Sequence, residues 1–336
     1  MNAITAEVVT DEEKFDALEP EWRDLWNRLP AALPFQAPAW LIPWWRHFHP
    51  GKLFVLAARC EGRLVGLAPG YIEDGPLGRR ILPLGISLSD HLDILVDRGC
   101  AEPAVQALVD AALFHCDAWD IWELEELPPG AAALSLPLPP GYAETLQPQS
   151  ACPVLALADD TDAVLPSLPK PKRQNLNLAR NRSARRGGFQ IARAQGEAIA
   201  PAFAALVRLH GNRWEGRGEP GVLTSGPGLD FHREAMLGLD QAGLLRLFTL
   251  SIEGQIAAAH YGIACSGRHY VYLLGFDPDF AFESPGVLLM AHAIEEALAE
   301  GCREVDFLRG REPYKYEWGA IDRWNVKRSI FRAEHG

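Results

Sequence analysis

The sequence predicts a mixed α/β protein of two domains, each built on a central mixed sheet flanked by helices. Three observations predict it. The chain has 336 residues, too many for one modest core and suited to two domains of roughly 150 residues. Stretches with helical spacing alternate with short apolar runs bounded by turn residues. One strand-turn-strand pattern also occurs twice: setting Gly62 on Gly254 aligns FVLAARCEGRLVGLAP with RLFTLSIEGQIAAAHY, 192 residues apart. The expected division is 1–165 and 166–336.

Taken in order, residues 11–29 carry Phe15, Leu18, Trp22, Leu25 and Trp26 at spacings of three and four, which predicts one amphipathic helix with an acidic first turn. A second, aromatic helix falls within 35–48, with Pro43 expected to delay its regular part. Residues 53–58 and 64–69 form a hairpin around Glu61-Gly62, and 81–84, 92–96 and 119–124 read as further strands. Residues 102–116 have helical spacing, while the Pro-, Ala- and Leu-rich stretch 130–150 reads as a strand pair at the domain seam. The second half repeats this outline with helices at 206–214 and 229–239 and a hairpin at 245–263. A strand at 269–275, a loop, a helix from Gly286 to about 300 and a short strand at 304–307 follow. A helix that follows a strand in this way presents its N-terminus to ligand space.

Composition removes several function classes. A net charge of -12 opposes nonspecific binding to DNA or anionic lipid. The charge is uneven, however: residues 1–168 hold 10 Lys and Arg against 25 Asp and Glu, and residues 169–336 hold 22 against 19. An anionic ligand is therefore more at home in the second half. Six scattered cysteines with no CxxC pair signal neither a zinc site nor a redox pair, so no metal is expected. The start of the chain has Glu7, Asp11, Glu12 and Glu13 and no apolar core of a signal peptide, and no run of about 18 apolar residues exists. A cytoplasmic location without membrane insertion is the expectation. Walker A, Rossmann, G-x-S-x-G and H-E-x-x-H motifs are absent.

Four features carry chemistry. At the loop-to-helix junction Ser284-Pro285-Gly286-Val287, Ser284 suits a cap, Pro285 a first-turn position and Gly286 close approach of a ligand, so the free amides and helix dipole suit a pyrophosphate; an ordinary capped helix reads the same way. A basic run, Lys170, Lys172, Arg173, Arg180, Arg182, Arg185, Arg186 and Arg193, contains no acid and is a phosphate clamp, a site for an acidic partner or a solvated helix between domains; it lacks the interleaved aromatics that would stack nucleic-acid bases. The segment VDFLRGREPYKYEW crowds Asp306, Arg309, Glu312, Tyr314 and Lys315 behind a strand, as a cleft or as a structural ion-pair network. His260, on the second hairpin strand, is either a general base or a hydrogen-bonded strand residue, and Trp214 ends a helix with its own polar group.

Longer motifs carry a resemblance. PFQAPAWLIPWWRHF, GRLVGLAPGY, SDHLDILV, KRQNLNLARNRSARRGGF, LHGNRWEGRGEPGVL, FHREAM and the stretch from YLLGFDPDF to YKYEWG lie in order along most of the chain. They resemble the GNAT-like family named after the CelD and BcsL proteins of bacterial cellulose gene clusters, which is related to the FemABX peptidoglycan aminoacyltransferases. The resemblance implies two tandem GNAT-like domains, the second binding acetyl-CoA or another acyl-CoA. Backbone amides around Ser284, Pro285, Gly286 and Val287 would hold the pyrophosphate, and Leu273, Leu274, Gly275 and Phe276 would pair with the pantetheine arm. The junction departs from the usual Q/R-x-x-G-x-G/A pattern, supplying one glycine after the acidic Glu283. The implied reaction moves an acyl group to a small amine or sugar hydroxyl. His260 or Asp306 would be the base and Tyr314 would protonate the departing thiolate, while Trp214, Arg309, Glu312 and Lys315 would wall the acceptor. Two alternatives stand beside it: a non-catalytic scaffold in a polysaccharide or envelope pathway, and a FemABX-like aminoacyltransferase using charged tRNA. The overall acidity opposes the second, although a local patch can override net charge.

Overall fold

The computed structural model describes residues 4–157, 168–215 and 226–333, with the side chains of 212–215 outside that description. Two compact units emerge, Met1–Ala151 with Arg323–Gly336, and Cys152–Asp322. This partition differs from a cut at 165/166 because the strand that completes each unit's sheet comes from a distant part of the chain. In the second unit, Val154, Leu155 and Ala156 pair antiparallel with Asp306, Val305 and Glu304. In the first, Val326 to Phe331 pair antiparallel with Leu127 to Ile121.

In the first unit, two helices replace the single expected one. Glu12–Ala17 ends at Leu18 and Glu19–Arg28 begins with Pro20 in its first turn, where the ring supplies no N–H to continue the ladder. The helix Pro38–Phe48 runs straight through Pro43 instead of starting there. Its buried face of Trp40, Leu41, Trp44 and Trp45 offsets the lost bond by packing. Residues 130–150 form no strand pair. The Asp93 carboxylate accepts the amides of Ala132 and Ala133 and closes a short turn, and one long strand, Tyr142–Ala156, follows.

The second unit's sheet runs in the order Gln190–Ala194, Leu245–Ile252, Gln255–Cys265, Arg268–Phe276 and Glu304–Asp306. All neighbours are antiparallel except the last two strands, which are joined through the helix Pro285–Ala299 and run parallel. The helices Lys170–Arg185 and Pro285–Ala299 contribute Leu176, Ala179, Leu289 and Ile294 to a core that also takes Phe248, Leu250, Val271 and Phe307.

The sequence repeat is also a repeat of backbone. Glu61-Gly62 and Glu253-Gly254 both have positive φ at both positions, 50° and 79° against 52° and 77°. That is the mirror-type two-residue turn that matches strand twist. Each hairpin also shifts register at the same distance before its turn, between Ala58 and Arg59 and between Leu250 and Ser251. The protein is thus mixed α/β with a doubled sheet-and-helix unit.

Candidate functional site

The parallel strands Arg268–Phe276 and Glu304–Asp306 share only three register pairs, from Arg268 opposite Glu304 to Tyr270 opposite Asp306. The longer strand continues for six residues past the last pair without that neighbour, opening a slot at its C-terminal end. A crevice at the carboxyl ends of parallel strands is the usual ligand position in α/β sheets.

A cavity of about 370 Å³ lies there. Side chains alternate along a strand, so Leu274 and Phe276 face the cavity and Gly275 faces away. A Cβ on Gly275 would stand 3.0 Å from Leu209 Cβ and 3.1 Å from the His210 amide, so glycine there lets the helix Ile199–Glu215 press against the sheet. Ser284, Pro285, Gly286, Val287 and Met290 form the helix wall, and Tyr314, Glu317 and Trp318 the opposite one. The seven expected residues Leu274, Phe276, Ser284, Pro285, Gly286, Val287 and Tyr314 are brought together; Leu273 and Gly275 do not line the cavity.

Lys172 completes the wall. Its side chain is only 3% exposed, and Nζ lies 3.0 Å from Glu317 Oε2 and 4.3 Å from the centre of the Trp318 ring. The aliphatic stem is buried while the ammonium finds a carboxylate and a π face. Lys172 was visible only as one member of the basic run. Met290, Glu317 and Trp318 carried no individual signal, since their helical and turn positions read as ordinary core and surface.

The helix end is less open to anions than its residues promise. Ser284 sits in the left-handed region at φ 52°, makes no side-chain cap, and donates its hydroxyl to the Ala281 carbonyl instead. The amides of Glu283, Ser284 and Val287 bond back to Phe280, Ala281 and Ser284, and Pro285 has no N–H. That leaves the Gly286 N–H as the open donor of the first turn. Glu283, which precedes the helix in the chain, is buried with its carboxylate 3.3 Å from Arg186 Nη1, so the acid just before the positive end of the helix is already held by a guanidinium.

Other expected residues lie elsewhere in the second unit. His260 is fully buried, stacked on Phe248 and His269, with its Nε2 3.0 Å from His269 Nε2. Burial, helped by the charge of His292, pushes its pKa down to about 3. A sealed, neutral imidazole in the sheet interior does not reach the cavity, so His260 is corrected from base to core residue. Asp306 is also buried and its Oδ1 accepts the Leu308 amide at 2.8 Å, closing the turn after its strand. Lys315 points inward, donating to the carbonyls of Leu308, Arg309 and Gly310 at 3.0, 2.7 and 3.0 Å and pairing with Glu312 at 2.9 Å. Gly310 is required there, because its φ is 106° and a Cβ would meet the Glu312 carboxylate at 2.6 Å. Asp306, Arg309, Glu312 and Lys315 thus build a stapled turn and do not line the cavity. The Trp214 side chain lies outside the described residues.

The basic helix is partly spoken for. Arg180 pairs with Glu295, Arg186 with Glu253 and Glu283, and Arg193, beyond the helix, with Glu300. Lys170, Arg173, Arg180 and Arg185 are nonetheless exposed along its length. Among the described residues no cluster of three metal-ligating side chains occurs, and no helix is long and apolar enough to cross a membrane.

Residues 170–316 match the acetyltransferase (GNAT) domain family. The second unit therefore carries a GNAT-type acyltransferase domain. The chain is similar in fold to FemX, with a TM-score of 0.69 at 13% identity over 94% of this chain and 96% of that one. It is similar also to L-PGS from Bacillus licheniformis, with a TM-score of 0.56 at 14% identity over 98% and 94%. The C-terminal domain of a lysylphosphatidylglycerol synthetase from Agrobacterium fabrum gives 0.51 at 11% over 80% and 81%. At such identities the likeness is one of fold. No curated protein sequence matches the chain significantly.

Proposed function

We propose that the GNAT domain transfers an aminoacyl group from an aminoacyl-tRNA to an amine or hydroxyl acceptor, with the aminoacyl end in the cavity between Leu274 and Trp318. The observation that carries this reading is the basic helix: Lys172 lines the cavity, and the same helix exposes Lys170, Arg173, Arg180 and Arg185 with no acid in its 16 residues. A track of cations leading from an acyl pocket suits a donor whose carrier is a long polyanion. The order of the two donor readings reverses because the first turn of the helix offers a single open amide, a poor cradle for the CoA pyrophosphate. The fold likeness to FemX and to a domain named for a lysylphosphatidylglycerol synthetase supports the same direction.

The chemistry asked of the protein is modest, since an aminoacyl ester is already activated. The acceptor's lone pair attacks the ester carbonyl, the oxyanion needs a backbone N–H, and as the ester C–O bond breaks the ribose oxygen leaves with a proton while the acceptor's own proton passes to the group that supplied it. Tyr314, which walls the cavity, is our candidate proton donor to that oxygen. The CelD/BcsL-like motifs fit an acceptor in polysaccharide or envelope metabolism. A second reading, acyl-CoA as donor, is favoured by the gathering of Leu274, Phe276 and Ser284 to Val287 around one cavity.

Filter binding of aminoacyl-tRNA near physiological salt, beside calorimetry with acetyl-CoA, separates the two. Retention of aminoacyl-tRNA that is weakened by Lys172→Met, with no heat from CoA, is expected. Heat with CoA and no tRNA retention would overturn the reading.

A further inference from the structure

We propose that the cavity selects a bulky apolar aminoacyl group, of the leucyl, methionyl or phenylalanyl class, against small and charged ones. This rests on the aminoacyl-tRNA reading and deepens it. Leu274, Phe276, Val287, Met290, Tyr314 and Trp318 supply most of the apolar and aromatic wall of a half-open space of about 370 Å³. A glycyl or alanyl group would leave most of it filled with water against apolar surface, whereas a side chain of four to seven heavy atoms would displace more of that water.

The charges in the wall decide the rest. Lys172 is the buried cation, and its ammonium is already matched by Glu317 and the Trp318 face. A lysyl side chain would bring a second ammonium towards Nζ, and a carboxylate side chain would have to compete with Glu317 for the same partner. Neither gains what it loses on leaving water. Glu317 is 56% exposed on its side of the pair, so its solvent-facing oxygen remains open to the α-ammonium that every aminoacyl donor carries. The site therefore holds the common α-ammonium at its rim and reads the side chain by apolar fit within.

The test is competitive filter binding with one tRNA body carrying leucine, phenylalanine, alanine, glycine or lysine, run beside octanoyl-CoA and acetyl-CoA. Leucyl and phenylalanyl forms are expected to bind about 10- to 100-fold more tightly than the alanyl and glycyl forms, the range open to a pocket that reads a few methylenes. Val287→Phe fills the cavity from a half-buried position and is expected to erase that preference while the melting temperature holds. Met290→Trp, which fills it from the buried side, is a second variant for the same readout. Equal binding of alanyl, lysyl and leucyl forms would overturn the selectivity and leave the donor reading standing. Binding of octanoyl-CoA over acetyl-CoA with no tRNA bound would overturn the donor and support the apolar pocket. No binding by any of them would overturn both.

Discussion

Replacing Lys315 by Met tests whether the crowded segment behind the last parallel strand is a staple or a substrate wall. Met matches the stem in volume but removes three hydrogen bonds from a charged donor, at 2.7 to 3.0 Å, to the carbonyls of Leu308, Arg309 and Gly310. Bonds to a charged group contribute about 1.5–3 kcal/mol each, and a stranded buried carbonyl costs about 1–3 kcal/mol. Leu308 is buried, so its carbonyl bears the full cost, while water reaches the half-buried Arg309 and Gly310. The pair with the exposed Glu312 adds little. The turn also holds Leu308 at a φ of 60°, a conformation that a non-glycine residue keeps only under constraint. Together these give a loss of roughly 3–5 kcal/mol, or a fall of roughly 6–20 °C in melting temperature for a unit of this size. Thermal melting by circular dichroism reads it directly. A fall of less than about 3 °C, with donor or acceptor binding lost, would refute the staple and return Lys315 to the site.

Three further outcomes are expected. Gly262→Ala would put a Cβ 2.6 and 2.7 Å from the Nε2 atoms of His260 and His269, and overpacking of this kind costs about 1–3 kcal/mol; an unchanged urea midpoint would show the histidine stack to be loose. Burial holds His260 and His232 near a pKa of about 3. Below the unfolded value near 6.5 the unfolded chain binds protons that the folded chain refuses, so stability present above pH 6.5 drains as pH falls towards 3. The slope is about 1.4 kcal/mol per pH unit for each histidine, and urea titrations at pH 7 and pH 5 would expose a flat profile if this were wrong. Finally, Glu283→Gln removes the buried carboxylate that pairs with Arg186 just before the helix Pro285–Ala299. Calorimetric binding of inorganic pyrophosphate is expected to strengthen several-fold, and no change would clear Glu283 of excluding phosphate.

Much of the frame could be read from local pattern. Helical spacing located the helices near 206–214, 229–239 and 286–300 but not the strand Gln190–Ala194, and the Glu-Gly dipeptides marked both hairpin turns, since two consecutive positive φ angles demand residues of that kind. The Ser284 to Val287 junction was legible because a loop and a Pro-Gly helix start are contiguous in the chain, whereas Leu274 and Phe276 entered through the family resemblance; the structure gathers them around one cavity. Short-range rules failed where a distant partner intervened: the core overrode Pro43, and Asp93 turned residues 132–133 away from a strand pair.

The sequence by itself determined which residues share a face, because helix and strand periods are properties of the local backbone. It could not determine what covers that face. Alternation set Leu274 and Phe276 apart from Leu273 and Gly275, but only the packed sheet put the first pair on the cavity and Gly275 against Leu209. His260 looked like a base until two strands closed over it, and Lys315 looked like a ligand group until its carbonyls were in place. Lys172 met Glu317 across 145 residues of chain. Burial and pairing depend on segments remote in sequence, and the same ionisable side chain becomes a core residue, a staple or a pocket wall according to which segment arrives against it.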